Sequence, residues 1–164
     1  MKYCYECGTK LIPKEHEDEG IIPYCETCGE FRFPIFSAAV SMIVQNPSRD
    51  KILLIQQYGK KNNVLVAGYI NKGESAEEAV IREVREEIGL NVVFHDFNKS
   101  EYFANTNTLM FNFACVVDGE SLDGLNPKEV DQAQWFTIEE AKENIMPDSL
   151  AKRFFLSFLK DKYQ

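Results

Sequence analysis

Apolar positions along the chain follow two different periods. "FSAAVSMIV" (residues 36–44) and "KILLIQQY" (51–58) are β-prone apolar runs, and "QNPSRD" between them carries the Asn-Pro and Ser of a turn. "VLVAG" forms a third short strand that closes at Gly68. Further on come "NVVFHDF" and "TLMFNFACVV"; in the second, Leu109, Phe111, Phe113, Cys115 and Val117 alternate with the other face. That register makes Cys115 a core thiol rather than a nucleophile. "AQWFT" is a last strand, followed by helices over "IEEAKENI" and "SLAKRFFLSFLKDKY". The final helix places Leu150, Phe154, Phe155, Phe158 and Leu159 on one stripe, the mark of core packing. Strands, one helix, strands, then helices predict an α/β (α+β) fold with a layered mixed sheet.

The helix between the strand groups has a different composition. "GYINKGESAEEAVIREVREEIGL", residues 68–90, holds six glutamates and two arginines. Ser75 followed by Glu78 is a capping box, and Gly89 suits the C-terminal cap. Ala76, Val80, Val84 and Ile88 recur every four residues as the buried stripe. Glu83, Glu86 and Glu87 then cluster on a neighbouring flank, where like charges repel by roughly 0.2–0.5 kcal/mol per pair. Spacing alone leaves two readings: a solvated Glu/Arg-rich surface, or carboxylates gathered around a cation. The loop from Gly68 through Gly73 and Glu74 into the helix N-terminus favours the second, because it suits metal-bridged phosphates.

Ahead of the first long strand the pattern changes again. Four of the five cysteines stand in "CYEC" (Cys4, Cys7) and "CETC" (Cys25, Cys28), two CxxC pairs separated by seventeen residues. Each pair can aim two thiolates from one tight turn, and two such turns complete a four-sulfur zinc site. Disulfides are the competing reading. His16, in the polar tip "KEHEDEG", reads as a solvated residue. About thirty residues build little core, so zinc would serve as a structural staple over residues 1–34, with the main domain over 35–164. Residues 1–34 carry seven acids against four bases, the wrong sign for a nucleic-acid reader.

Composition sharpens these expectations. The chain has 164 residues, 45% apolar and 27% charged, with a formal charge of −8. That acidity disfavours nonspecific binding to nucleic acid or anionic membrane and suits divalent cations bridging to phosphate. The N-terminus has no apolar run of signal-peptide length and no segment approaches a membrane span, which predicts a cytoplasmic protein.

Gly68, five residues, Glu74, seven residues, then Arg82-Glu83-Val84-Arg85-Glu86-Glu87-Ile88-Gly89-Leu90 fill every required position of the Nudix box, and on this stretch the chain resembles the Nudix hydrolases. The resemblance implies an α/β/α sandwich around a mixed sheet. It also implies Mg²⁺- or Mn²⁺-dependent hydrolysis of a nucleoside diphosphate linked to another group. Glu83, Glu86 and Glu87 would be metal-binding carboxylates, Arg82 and Glu74 a supporting ion pair, and Gly68 a carbonyl ligand. Such a cation acidifies a water for attack on phosphorus, with Glu86 or Glu87 as the proton acceptor.

A cysteine-rich ribbon directly before a Nudix domain resembles the NADH pyrophosphatase group, whose members also remove NAD caps from RNA. "CGEFRFPIFSAAVSMIV" is similar to that group's entry into its first strand, and "NPKEVDQAQWF" to a downstream segment bearing another metal-binding acid, here Glu129. A solvated loop residue is the alternative for Glu129. The resemblance implies a small-molecule nucleotide substrate, with a capped RNA end as the one nucleic-acid partner, and a homodimer. Two departures stand out. That group carries another domain ahead of its ribbon, and its Pro/Trp-rich marker of NADH use is replaced here by "SEYFANTNTLM" (100–110). Tyr102 and Phe103 remain there as candidates for stacking on a base, or else as strand residues. The expectation is an NADH/NAD-type substrate first, ADP-ribose or another nucleotide-sugar second, and a noncatalytic nucleotide sensor third.

Overall fold

A computed structural model of the chain describes residues 1–162; the predicted end of the last helix at Tyr163 lies outside them. The chain divides into two compact units, Met1–Phe36 and Ser37–Gln164.

In the first unit, β1 (Ile12–His16), β2 (Gly20–Cys25) and β3 (Glu30–Phe31) form an antiparallel sheet in that order. Its core consists of Cys4, Leu11 and Cys25, with Cys28 packed against them. His16 sits beside the Phe31 ring at 4.8 Å, and its Nδ1 accepts from the Asp18 N–H.

The second unit is built on β4 (Ser37–Gln45), whose central residues are buried on both faces. Strand β4 runs parallel to β8 (Thr108–Val117), which pairs antiparallel with the edge strand β7 (Val92–Phe103). On its other side, β4 pairs with β6 (Val66–Tyr69) over Ala39–Met42. Its end pairs instead with β5 (Lys51–Gln56), which continues to β9 (Gln132–Thr137). One parallel pairing among antiparallel ones makes the sheet mixed.

Helix α1 (Ala76–Ile88) covers one face. Its Ala79, Val80, Val84 and Ile88 join Val40, Met42, Val44, Phe113, Cys115 and Val117 in one core. Helices α2 (Ile138–Asn144) and α3 (Leu150–Lys162) cover the other, where Ala141, Phe154, Phe155 and Leu159 pack on Ile43, Ile52 and Leu54. The result is the expected α/β/α sandwich. Burial pushes the Cys115 thiol up to about 12, as befits a core residue. Among the described residues no helix is long and apolar enough to cross a membrane.

Candidate active site and metal centre

Strand β6 brings Gly68 opposite Val40, and α1 crosses behind it. A Cβ on Gly68 would lie 2.0 Å from the Glu83 carboxyl carbon, so the absence of a side chain is what lets that carboxylate rest on the β6 backbone. Helix α1 starts as its sequence demands: the Glu78 N–H donates to Ser75 Oγ at 3.1 Å, and the Ser75 N–H to Glu78 Oε2 at 2.8 Å. At the other end Gly89 takes φ +79°, and a Cβ there would meet the Gly124 carbonyl at 2.6 Å.

Arg82 organises the acids. Its Nε and Nη2 grip Glu74 at 2.6 and 2.8 Å, a bidentate pair that ties α1 to the loop before it. The Asn71 N–H donates to the same carboxylate at 2.9 Å. Together these hold the Glu74 carboxyl down at about 2. Nη2 also donates to the Tyr69 carbonyl at 2.9 Å, while Nη1 reaches Glu83 at 2.7 Å and Glu86 at 3.0 Å.

Glu83 and Glu87 are buried, whereas Glu86 stays open to solvent. Burial raises the Glu83 carboxyl, with Arg82 opposing the shift. Glu87 has no such cation. Burial first, and then the negative charges of Glu83, Glu129 and Glu86, push it up to about 8. Gln57, directly after β5, donates to Glu87 Oε2 at 3.2 Å. Glu129 arrives on the β8–β9 loop, which the Asn126 N–H pins to the Glu87 carbonyl at 2.9 Å.

Gly68, Arg82, Glu83, Glu87 and Glu129 line one cleft of about 410 Å³, which also takes in Tyr58, Tyr69 and Met110. Glu74 and Glu86 attach to it through Arg82. Tyr102 and Phe103 do not line it. The edge strand carries Tyr102 outward, and its hydroxyl donates to Asn107 Oδ1 at 2.7 Å. The exposed aromatic rings at the cleft are Tyr58 and Tyr69, 78% and 60% accessible. Sequence reasoning missed both: Tyr69 directly follows Gly68 and was within reach of the motif, but Tyr58 ends an apolar run and gave no signal. Its φ of 56°, uncommon for a bulky side chain, emerges only in three dimensions.

The donor set suits a hard cation: buried carboxylates, a glycine carbonyl position, and a proton affinity at Glu87 raised by burial first and by neighbouring negative charge second. Among the described residues, however, the group of three or more ligand atoms that lies within 4.8 Å of one another is the four cysteines; Glu83 and Glu86 turn toward Arg82 instead.

In the first unit, Cys4 and Cys28 have sulfurs 3.9 Å apart, and Cys7 and Cys25 3.4 Å. Tetrahedral zinc with bonds of about 2.3 Å requires sulfur separations of about 3.8 Å, so the cluster fits that ion. The two turns repeat each other: the Gly8 and Gly29 N–H groups donate to the Cys4 and Cys25 carbonyls, both at 2.9 Å, with φ of +74° and +73°.

The NUDIX domain family model matches residues 36–156, and the chain belongs to the Nudix hydrolase family. More particularly, it is 32% identical over 165 residues to the NAD-capped RNA hydrolase NudC of Pseudomonas aeruginosa, across 99% of this chain and 55% of that protein. The NudC of Escherichia coli O157:H7 is 29% identical over 154 residues, covering 93% and 58%. The chain thus spans about half the length of these curated relatives. A NUDIX hydrolase structure from Nitrosomonas europaea superposes with a TM-score of 0.65 at 22% identity, covering 78% of this chain and 91% of that one. The MutT protein of Methanosarcina mazei gives 0.63 at 21%, covering 79% and 96%. At those identities the structural likeness speaks for the fold.

Proposed function

We propose that the chain is a Mg²⁺- or Mn²⁺-dependent pyrophosphatase that cleaves the phosphoanhydride of a nucleoside diphosphate linked to a second group, with an NAD-type dinucleotide as substrate. One observation carries this reading: Glu83, Glu87 and Glu129 face one cleft together with Gly68, and the acids exceed the charge that Arg82 can offset.

A divalent cation held by Glu83, Glu86, Glu87 and Glu129, with the Gly68 carbonyl, would supply charge neutralisation on the phosphates and acidify a water. The chain's own residues do the rest. Arg82 fixes the Glu83 and Glu86 carboxylates relative to the Glu74 loop. Glu87, buried and held by Gln57, accepts the proton of the attacking water. Tyr58 and Tyr69 offer ring faces on which a base can stack. Residues 1–34 form a zinc ribbon in which Cys4, Cys7, Cys25 and Cys28 hold the ion.

The NAD-type substrate is supported by the names of the relatives, which are NAD-capped RNA hydrolases. The span "SEYFANTNTLM" supports ADP-ribose as a second reading, because it lacks the Pro/Trp marker and points Tyr102 away from the cleft. The test is Mg²⁺-dependent hydrolysis, read as AMP released from NADH, ADP-ribose and diadenosine polyphosphates, and as nicotinamide mononucleotide with 5′-monophosphate RNA from NAD-capped RNA. Nicotinamide mononucleotide as the co-product supports the first reading and ribose phosphate the second. No hydrolysis of any of them, with tight nucleotide binding, would overturn the enzymatic reading in favour of a sensor.

A further inference from the structure

Arg32 is the one basic residue among the buried polar and charged residues described, 3% accessible. Each of its nitrogens donates. The backbone N–H donates to the Pro23 carbonyl at 2.7 Å, Nη1 to Glu30 at 2.5 Å and Nη2 to Glu6 at 2.6 Å. Nε donates to the Cys4 sulfur at 3.2 Å, and the Tyr5 ring lies 4.9 Å from the guanidinium carbon.

This arrangement poses a physical question. Taking a guanidinium out of water is costly unless a buried negative charge faces it. Glu6 and Glu30 are 55% and 63% accessible, and ion pairs to such exposed carboxylates return little. The buried partner is the sulfur cluster. Four thiolates around one divalent ion leave two negative charges in excess, and a buried cation pointing an N–H at one sulfur offsets part of that excess. Residues in this outer position orient ligands and set how tightly a metal is held.

On the reading that the four cysteines bind zinc, we infer that Arg32 is a positioning residue of that centre: its Nε–H···Sγ bond to Cys4 and its buried charge retain the metal. The two CxxC turns are near repeats of each other, and Arg32 breaks the repeat by serving the first turn from the position directly after β3. It thereby couples the last strand of the ribbon to metal binding.

The full-length chain tests this with two variants. Arg32→Met keeps bulk but loses charge and donor; Arg32→Lys keeps the charge but not the Nε donor. Zinc content of the unmodified protein, measured by mass spectrometry, comes first, because a chain purified without bound zinc and unable to take it up refutes the zinc reading itself. With zinc present, competition against a chromophoric chelator shows Arg32→Met binding the metal on the order of 10–100-fold more weakly, with Arg32→Lys in between. The cobalt-substituted proteins give a readout that loss of packing alone would not produce. Losing the hydrogen bond to sulfur moves the thiolate-to-cobalt charge-transfer band to lower energy, while the visible bands remain those of a tetrahedral site. If Arg32→Met does not fold, Arg32→Lys decides the matter by the same two measurements. Unchanged metal affinity with an unmoved charge-transfer band in the folded variants would overturn the inference.

Discussion

Gly68 owes its place to the carboxylate it touches rather than to an unusual backbone angle, since any Cβ would occupy the space of Glu83. Gly68→Ala therefore displaces Glu83 and lowers turnover, by roughly 10²-fold if the shift approaches 1 Å, while circular dichroism still reports the native fold. Glu86→Gln and Glu87→Gln act on the acids directly and should lower kcat on the order of 10²-fold or more. Normal turnover in both folded variants would sink the metal-site assignment. Glu87 also predicts a pH dependence of stability. Its carboxyl rises from the ordinary 4.5 to about 8 in the fold, so the native state binds this proton more tightly than the unfolded chain. The resulting stabilisation is complete below 4.5 and is lost as pH rises through 8. In divalent-free buffer, Glu87→Gln should melt at the wild-type temperature at the acidic end and several degrees above it at the alkaline end. Parallel melting curves across the whole range would remove the burial argument.

At the scale of elements, α1 was the most legible part of the chain, because its cap, stripe and end are all local. The reciprocal Ser75–Glu78 bonds formed as the spacing required. Ser75→Ala should accordingly cost about 1 kcal/mol in chemical denaturation, and no loss would mean that tertiary packing alone sets the helix start. The β-runs were legible for the same reason, and the predicted stripe Leu150, Phe154, Phe155, Phe158, Leu159 packs as one cluster. Pairing was not. That β4 lies parallel to β8, some seventy residues away, and changes partner from β6 to β5 along its length follows from long-range packing that no local window encodes. The same blindness explains the candidate site. Glu129 reaches the cleft because Asn126 is pinned to the end of α1. Gln57 and Tyr58 reach it because β5 ends there, and the twelve-residue edge strand β7 carries Tyr102 elsewhere. Arg32 gave no sequence signal for the same reason: an arginine's partner is set by the fold, not by its neighbours in the chain.

At the scale of the molecule, the two units rest on different physics, and this difference can be tested directly. Ser37–Gln164 contains two hydrophobic clusters, one on each face of the sheet, and needs no ion to bury them. In Met1–Phe36 the buried cluster is Cys4, Leu11 and Cys25, with Cys28 against it, so three of its four members are proposed zinc ligands. Strip those thiols of a metal and Leu11 and Ile22 are the buried aliphatic side chains left to oppose chain entropy. A structural zinc site supplies on the order of 10–16 kcal/mol, which would be nearly all the folding free energy of that unit. Removing zinc with a strong chelator should therefore accelerate amide hydrogen exchange throughout β1, β2 and β3. Exchange in β4, β8 and α1 should hold at the rate of the untreated chain, and returning zinc should restore protection to the first unit. Protection of β1–β3 that survives confirmed metal loss would show that Arg32, Glu6 and Glu30 with the strand pairing suffice to hold the ribbon. Exchange that rises equally in both units would show instead that the larger one also depends on the ion, and would overturn the view that its two apolar clusters hold it.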